Sequence, residues 1–433
     1  MANNEDKRHY SIIVKPVGAA CNMRCAYCYY LGKAHEGETP VMTDEVLRKY
    51  VSETIAIHGS EAEIEFAWHG GEPLMAGMAF YEKALALQRE YGTGRRILNT
   101  LQTNGTLLND EWCKFFRDNK FRIGISLDGP EHLHNAFRKD AQGNGTFHQV
   151  MRGVELLRKH EVEYNVLATV NSVNVHHPLE VYQFLRTVSD YIQFLPVVEC
   201  SGDEANVAQP PGVYSASQSS TPHEAHFNVS AEGYGEFLCR IFDEWARHDI
   251  GKKFVQIFEA AIGNIMRRPA GLCVHEGVCG HCAAIERGGN VYRCDRYVFP
   301  DYLMGNIMHD SLYEMMQGNR QFGEHKLESL STQCLHCDVV DLCFGGCPKD
   351  RFVPVQSPGQ GKEYQNYLCP GYRKFFRYVR ERVRREERRK EKGEMINERK
   401  GENGKRSHSL CPPKLGGDEE RSDGGGMSNS TNR

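Results

Sequence analysis

Six short runs of apolar and β-branched residues alternate with helical patterns through the first 200 positions. The runs cover residues 10–17, 64–68, 96–101, 122–127, 164–170 and 192–198, each of strand length. Between them, residues 44–58, 76–91, 109–119, 146–160 and 176–189 repeat apolar positions at helical spacing. Asp44, Asn109 and Gly145-Thr146 supply start signals for three of these helices. Such alternation predicts an α/β fold whose parallel strands are joined by right-handed crossovers.

In parallel barrels functional groups gather at the C-terminal ends of the strands. The sequence obeys this rule at every strand. A three-cysteine loop follows the first and His69-Gly70-Gly71-Glu72-Pro73 the second. Thr103-Asn104-Gly105 follows the third, Asp128-Gly129-Pro130 the fourth, Asn171 the fifth and Glu199 the sixth. All unusual polar and glycine-rich clusters therefore fall on one rim.

Beyond the sixth unit the pattern changes. Residues 200–230 are rich in Ser, Pro, Gly, Ala and His without periodicity and read as a rim loop or linker. Helical spacing returns at 231–249 and 252–267, a cysteine-rich region spans Cys273 to Cys369, and residues 375–392 form a basic helical run. The remaining tail has the composition of a disordered segment. These shifts divide the chain into a barrel (1–235), a helical linker (236–272), a cysteine-rich domain (273–375) and a basic helix with tail (376–433).

With 433 residues the chain can bury a large core, and its net charge of −4 gives no reason to expect nucleic acid or an anionic membrane as partner. The polar start MANNEDKRHY lacks a signal-peptide core, and no run reaches the ~18 apolar residues of a membrane span. A cytoplasmic location is therefore expected. There thiols stay reduced, so sixteen cysteines favour metal ligation over disulfides.

Cys21-x3-Cys25-x2-Cys28 places three thiols on one loop. Three thiolates can hold three corners of a [4Fe–4S] cluster and leave the fourth iron open to a ligand. A zinc site would want a fourth ligand nearby. The later cysteines run Cys273-x5-Cys279-x2-Cys282-x11-Cys294, then Cys334-x2-Cys337-x5-Cys343-x3-Cys347, then Cys369. These nine thiols are one more than two four-cysteine sites need, and their spacing admits zinc as well as iron–sulfur clusters. Cys113, Cys200, Cys239 and Cys411 fit no site.

The cysteine loop and the Gly70-Gly71-Glu72-Pro73 turn resemble the radical S-adenosylmethionine (SAM) superfamily, whose fold is a partial (β/α)6 barrel. The resemblance implies that SAM chelates the open iron and yields a 5′-deoxyadenosyl radical. Tyr27, Gly71, Ser126, Arg138 and Leu195 stand where related enzymes contact the cofactor. The later cysteines resemble the SPASM extension of peptide-modifying members. That pattern assigns Cys273, Cys279, Cys294 and Cys347 to one auxiliary [4Fe–4S] cluster. It assigns Cys334, Cys337, Cys343 and Cys369 to another, making three clusters in all with Cys282 to spare.

Val291-Tyr292-Arg293-Cys294-Asp295-Arg296-Tyr297 resembles a segment of the anaerobic sulfatase-maturating enzymes. In that family the aspartate after the cysteine is a general base, the role implied for Asp295. The implied activity is oxidation of a Cys or Ser of a sulfatase polypeptide to Cα-formylglycine. Ferredoxin or flavodoxin is the kind of electron donor such chemistry needs. Another SPASM maturase and a metal-bound protein without turnover are the rival readings. His69 stands where some relatives carry glutamine, and its role is left open.

Overall fold

Strand β1 (Ser11–Lys15) is fourth from one edge of a ten-stranded sheet, with parallel neighbours on both sides. On one side follow β2 (Ile64–Trp68), β3 (Ile97–Thr103), β4 (Arg122–Ser126), β5 (Tyr164–Val170) and β6 (Tyr191–Pro196), all parallel. The computed structural model describes residues 9–30, 33, 40–201, 223, 224, 226–356 and 363–391. Most of the 200–230 loop and the tail beyond residue 391 lie outside these residues.

Helices α1 (Asp44–Ile57), α2 (Met78–Tyr91), α3 (Asp110–Asp118), α4 (Glu131–Phe137), α5 (Phe147–Lys159) and α6 (Pro178–Val188) connect these strands. Thr43, rather than Asp44, caps α1 by accepting from Val46 N–H, and Asp44 sits in the first turn. Asn109 caps α3 as expected, accepting from Trp112 N–H. Thr146 stands before α5 without capping it, because its hydroxyl donates to the Arg138 carbonyl at 3.1 Å.

The strand period of two decides where the core sits. Ile64, Phe66 and Trp68 turn one way and pack with Tyr50, Phe80 and Tyr81 between sheet and helices. Trp68 Nε1 donates to buried Asn99, which Gln88 also contacts, so the polar atoms in this layer are paired. Alternate residues face the other side, and several of them are polar. Thr100 donates to Glu65 at 2.8 Å and Gln102 to Ser126 at 3.0 Å. That face thus carries hydrogen-bonding groups that apolar packing leaves for chemistry.

A two-residue pair, β7 (Cys200–Ser201) with β8 (His223–Glu224), precedes α7 (Ala231–His248), and β9 (Phe254–Val255) adds to the sheet beyond β6 ahead of α8 (Gln256–Ile265). The cysteine-rich region then rejoins the sheet. Its β10 (Cys282–Glu286) pairs parallel with β1, from Ser11 opposite Cys282 to Lys15 opposite Glu286. Antiparallel β11 (Asn290–Tyr292) and β12 (Leu303–Asn306) complete that edge. After them come α9 (Leu312–Glu328), α10 (Thr332–Leu335), α11 (Val340–Cys343), the hairpin β13 (Arg351–Val355) with β14 (Glu363–Asn366), and α12 (Cys369–Glu391). The basic α12 docks on α7 and α8 through Phe375 against Phe242 and Phe258. No described helix is long and apolar enough to cross a membrane.

Candidate active site

The loop after β1 is fastened to the segment after α4. Arg24 N–H donates to the Lys139 carbonyl at 2.8 Å and Ala26 N–H to the Phe137 carbonyl at 3.1 Å. This brings Cys21, Cys25 and Cys28 around one partly apolar spot with Met23, Tyr27, Val197 and Phe227. Burial pushes the Cys25 thiol up to about 12, with Arg138 opposing the shift and Cys28, Asp128 and Cys21 adding to it. Cys21 is raised by the same burial. Thiols so close in a dry site ionise only when a cation neutralises them, the donor set an iron cluster requires.

Tyr27 does more than wall the site. Its hydroxyl donates to Asp128 Oδ2 at 2.6 Å and accepts from Arg138 Nη1 at 3.0 Å. All three residues are buried, and Arg138 Nε has no hydrogen-bond partner among the described residues. A buried orphan donor beside the cysteine loop fits an anionic group such as the cofactor carboxylate. Ser126 Oγ, at the end of β4, is occupied by Gln102. Leu195 opposes Thr169 and is 39 % exposed, so it is no core leucine.

Gly71 is needed for a reason the sequence does not give. A side chain there would strike the Ala20 carbonyl of the cysteine loop, and Gly71 N–H donates to the Gly18 carbonyl at 2.7 Å. Its neighbour Glu72 is engaged as well. Its carboxylate accepts from Leu74 N–H at 3.1 Å, Thr103 Oγ1 at 2.7 Å and Asn104 N–H at 2.8 Å. The turn therefore clamps the cysteine loop to the end of β2 by backbone contact, and the Glu72 carboxylate ties it to the end of β3.

Asp295 begins a short turn after Cys294 and reaches across to β1. There it forms an ion pair with Lys15, which is fully buried, and accepts from the Tyr29 hydroxyl. Burial raises the Asp295 carboxyl, but Lys15, His69 and Tyr29 outweigh it and hold the group well below the usual carboxylate range. Lys15 carries most of that effect at neutral pH, since burial pulls His69 down to about 4 and leaves it uncharged. His69 Nδ1 accepts from Gly70 N–H at 2.9 Å, which leaves Nε2 as the protonated nitrogen. Lys15 Nζ also lies 3.6 Å from the centre of the Tyr30 ring, and Tyr30 donates to Glu286 on β10.

The later cysteines form two groups. Cys273 lies in the electrostatic neighbourhood of Cys294, Cys347 and Cys279, and burial pushes it up to about 12. Cys282 joins this group, its sulfur lying beside that of Cys294. Cys334, Cys337, Cys343 and Cys369 line one small pocket with Arg373. This division is the one implied by the sequence resemblance, save that Cys282 is at the first site. Cys113 and Cys239 are buried away from both. Two further ion pairs flank the first group, Lys349 with Glu199 at 2.7 Å and Arg296 with both oxygens of Asp350.

The radical SAM superfamily matches residues 16–185. A serine-type anaerobic sulfatase-maturating enzyme of Bacteroides thetaiotaomicron is 46% identical over 376 residues, covering 85% of this chain and 89% of that protein. The chain belongs to the family of anaerobic sulfatase-maturating enzymes. A cysteine-type member from Clostridium perfringens is 32% identical over 376 residues, covering 85% of this chain and 96% of its own. The structure of anSMEcpe with bound AdoMet superposes with a TM-score of 0.74 at 30% identity, over 87% of this chain and 98% of that one. The same protein with AdoMet and the Kp18Cys peptide gives 0.73 at 31% identity, over the same shares.

For this sulfatase-maturating enzyme the sequence reading missed Lys15, Tyr29 and Glu286. A lysine closing the apolar run Ile12-Ile13-Val14 was the available signal, because a buried strand end rarely keeps a charge without a partner.

Proposed function

We propose that this radical SAM enzyme oxidises one residue of a sulfatase polypeptide to Cα-formylglycine, and that its target is a serine. The serine-type relatives, at 46% and 36% identity, lie nearer in sequence than the cysteine-type relative at 32%. The observation that carries the reading is the placement of Asp295. It follows a cysteine of the first auxiliary group and reaches the strand ends that bear His69 and the cysteine loop.

Cys21, Cys25 and Cys28 would hold a [4Fe–4S] cluster, with Tyr27, Gly71, Ser126, Arg138 and Leu195 around SAM. Two further clusters would sit on Cys273, Cys279, Cys294 and Cys347, and on Cys334, Cys337, Cys343 and Cys369. SAM and its cluster, when bound, would supply the radical that removes a Cβ hydrogen from the target. Asp295, oriented by Lys15 and Tyr29, takes the hydroxyl proton as the C=O bond forms, and the remaining electron of the substrate radical would leave through the auxiliary clusters. Ferredoxin or flavodoxin would feed the electrons, in the cytoplasm.

The test is anaerobic incubation of reconstituted enzyme with SAM, a reductant and paired sulfatase-type peptides carrying Ser or Cys. The serine peptide should lose the mass of two hydrogen atoms. An unmodified serine peptide beside a converted cysteine peptide would reverse the target assignment, and SAM cleavage with neither product would refute the function.

A further inference from the structure

Two histidines and a glutamate meet where α4 and α6 begin. His132 is the second residue of α4, His177 stands at the N-cap of α6, and Glu180 lies in the first turn of α6. One carboxylate faces both rings. Glu180 Oε2 is 3.0 Å from His177 Nδ1, and Oε1 is 3.5 Å from His132 Nε2. The two rings stand edge to face, their centres 5.9 Å apart. One ligand atom from each residue lies within 4.8 Å of those from the other two.

The backbone beneath these side chains is fixed. Buried Asn174 donates through Nδ2 to the Asp128 carbonyl at 3.1 Å and to the Thr169 carbonyl at 2.9 Å. His177 N–H in turn donates to the Asn174 carbonyl at 3.0 Å. Asn174 thus ties the segment before α4 to the segment before α6. Gly129 brings the start of α4 against α6, since a Cβ there would lie 3.3 Å from a Val181 methyl. The three side chains themselves are exposed, so they can adjust to a ligand while their helices stay in place.

Tetrahedral zinc holds nitrogen and oxygen ligands at ~2.0–2.1 Å, which sets neighbouring donor atoms ~3.3 Å apart. The two distances to Glu180 bracket that spacing. Two imidazoles with one carboxylate suit zinc, whereas calcium and magnesium take oxygen ligands. Each neutral ring offers a lone pair, the carboxylate adds a negative charge, and water can complete the four. We propose that His132, His177 and Glu180 form a zinc site that cross-links α4 to α6, separate from the cysteine sites. The inference does not rest on the proposed reaction. α4 ends at Arg138, so the ion would brace the helix that delivers this residue to Tyr27.

The experiment titrates zinc sulfate anaerobically into full-length enzyme with its clusters reconstituted, beside the variants His132→Ala, His177→Ala and Glu180→Gln. Iron is counted before and after. X-ray absorption at the zinc edge reads the neighbours, because nitrogen and oxygen at ~2.0–2.1 Å differ from sulfur at ~2.3 Å. The wild type should take up about one zinc with nitrogen and oxygen neighbours, keep its iron, and melt at a higher temperature with zinc than without. Each histidine variant should bind zinc roughly 100-fold more weakly or worse, beyond the usual loss for a group that only supports a ligand. Without zinc these variants should melt near the wild-type temperature, as expected for exposed ion pairs. No uptake by the wild type would make the three residues an ordinary set of ion pairs and overturn the proposal. Equal uptake by all four proteins, or sulfur around the zinc, would put the ion elsewhere and overturn it too.

Discussion

Lys15, the last residue of β1, is fully buried against Asp295, which enters from the cysteine-rich region. The pair joins the barrel to the residue proposed as proton acceptor. Removing only the acid leaves a buried ammonium without its counter-charge, a loss of about 3 kcal/mol in comparable pairs. Asp295→Asn should therefore lower the melting temperature, and the double variant Lys15→Met/Asp295→Asn should recover part of the loss. Strict additivity of the two single effects would show that the pair is not coupled. In the Asn variant deuterium should still pass from a Cβ-deuterated peptide into 5′-deoxyadenosine, while formylglycine falls roughly 100-fold.

Gly71 offers a second test. Even Ala at this position would press on the Ala20 carbonyl and displace the cysteine loop. Gly71→Ala should lose about a third of the reconstituted iron, that of one cluster in three, with the C-terminal sites intact. Full iron with weakened SAM binding would mean that the glycine clears space for the cofactor instead.

Tyr27→Phe deletes the hydroxyl that bridges Asp128 and Arg138. Both partners are buried, so stability should fall by about 2 kcal/mol. SAM affinity should weaken roughly tenfold as Arg138 loses its orientation, about 1.4 kcal/mol. Calorimetry of SAM binding to the reconstituted variant reads the second effect, and unchanged affinity would make Tyr27 a purely structural bridge.

Glu286 gives a pH test. Burial raises its carboxyl to about 7, against the lowering pull of Lys15. The folded state then binds a proton that the unfolded chain releases at lower pH, so this group costs stability as pH rises from the unfolded value toward 7. Glu286→Gln keeps an acceptor for Tyr30 and removes that titration. From pH 5 to pH 8 its melting temperature should drop less than that of the wild type. Parallel curves would place the Glu286 titration at an ordinary carboxylate pH.

Periodicity located the six parallel strands within a few residues, since each carries one apolar face and ends in a polar or glycine-rich turn. It missed α4, which spans only Glu131–Phe137. It also missed α9, whose regular spacing lies among cysteines that drew the reading to metal ligation. The partition of the later cysteines into two groups is implied by the family likeness, not by their spacing. The meeting of Lys15 with Asp295 is implied by neither, because it depends on β10 adding to β1, a pairing that no local pattern encodes. The clamp at Gly71 is hidden for a similar reason: the backbone it must avoid comes from a different loop.

The pairing of β1 with β10 has a consequence for synthesis of the chain. The first strand leaves the ribosome with one edge bare, and its partner on that side is made about 270 residues later. At ~5–20 residues per second the nascent barrel waits roughly 15–50 s before that edge can close. During that interval the edge is open to mispairing with other chains, which makes it a natural binding place for a chaperone. A ribosome stalled before residue 282 would present a barrel whose first strand is still unpaired on that side.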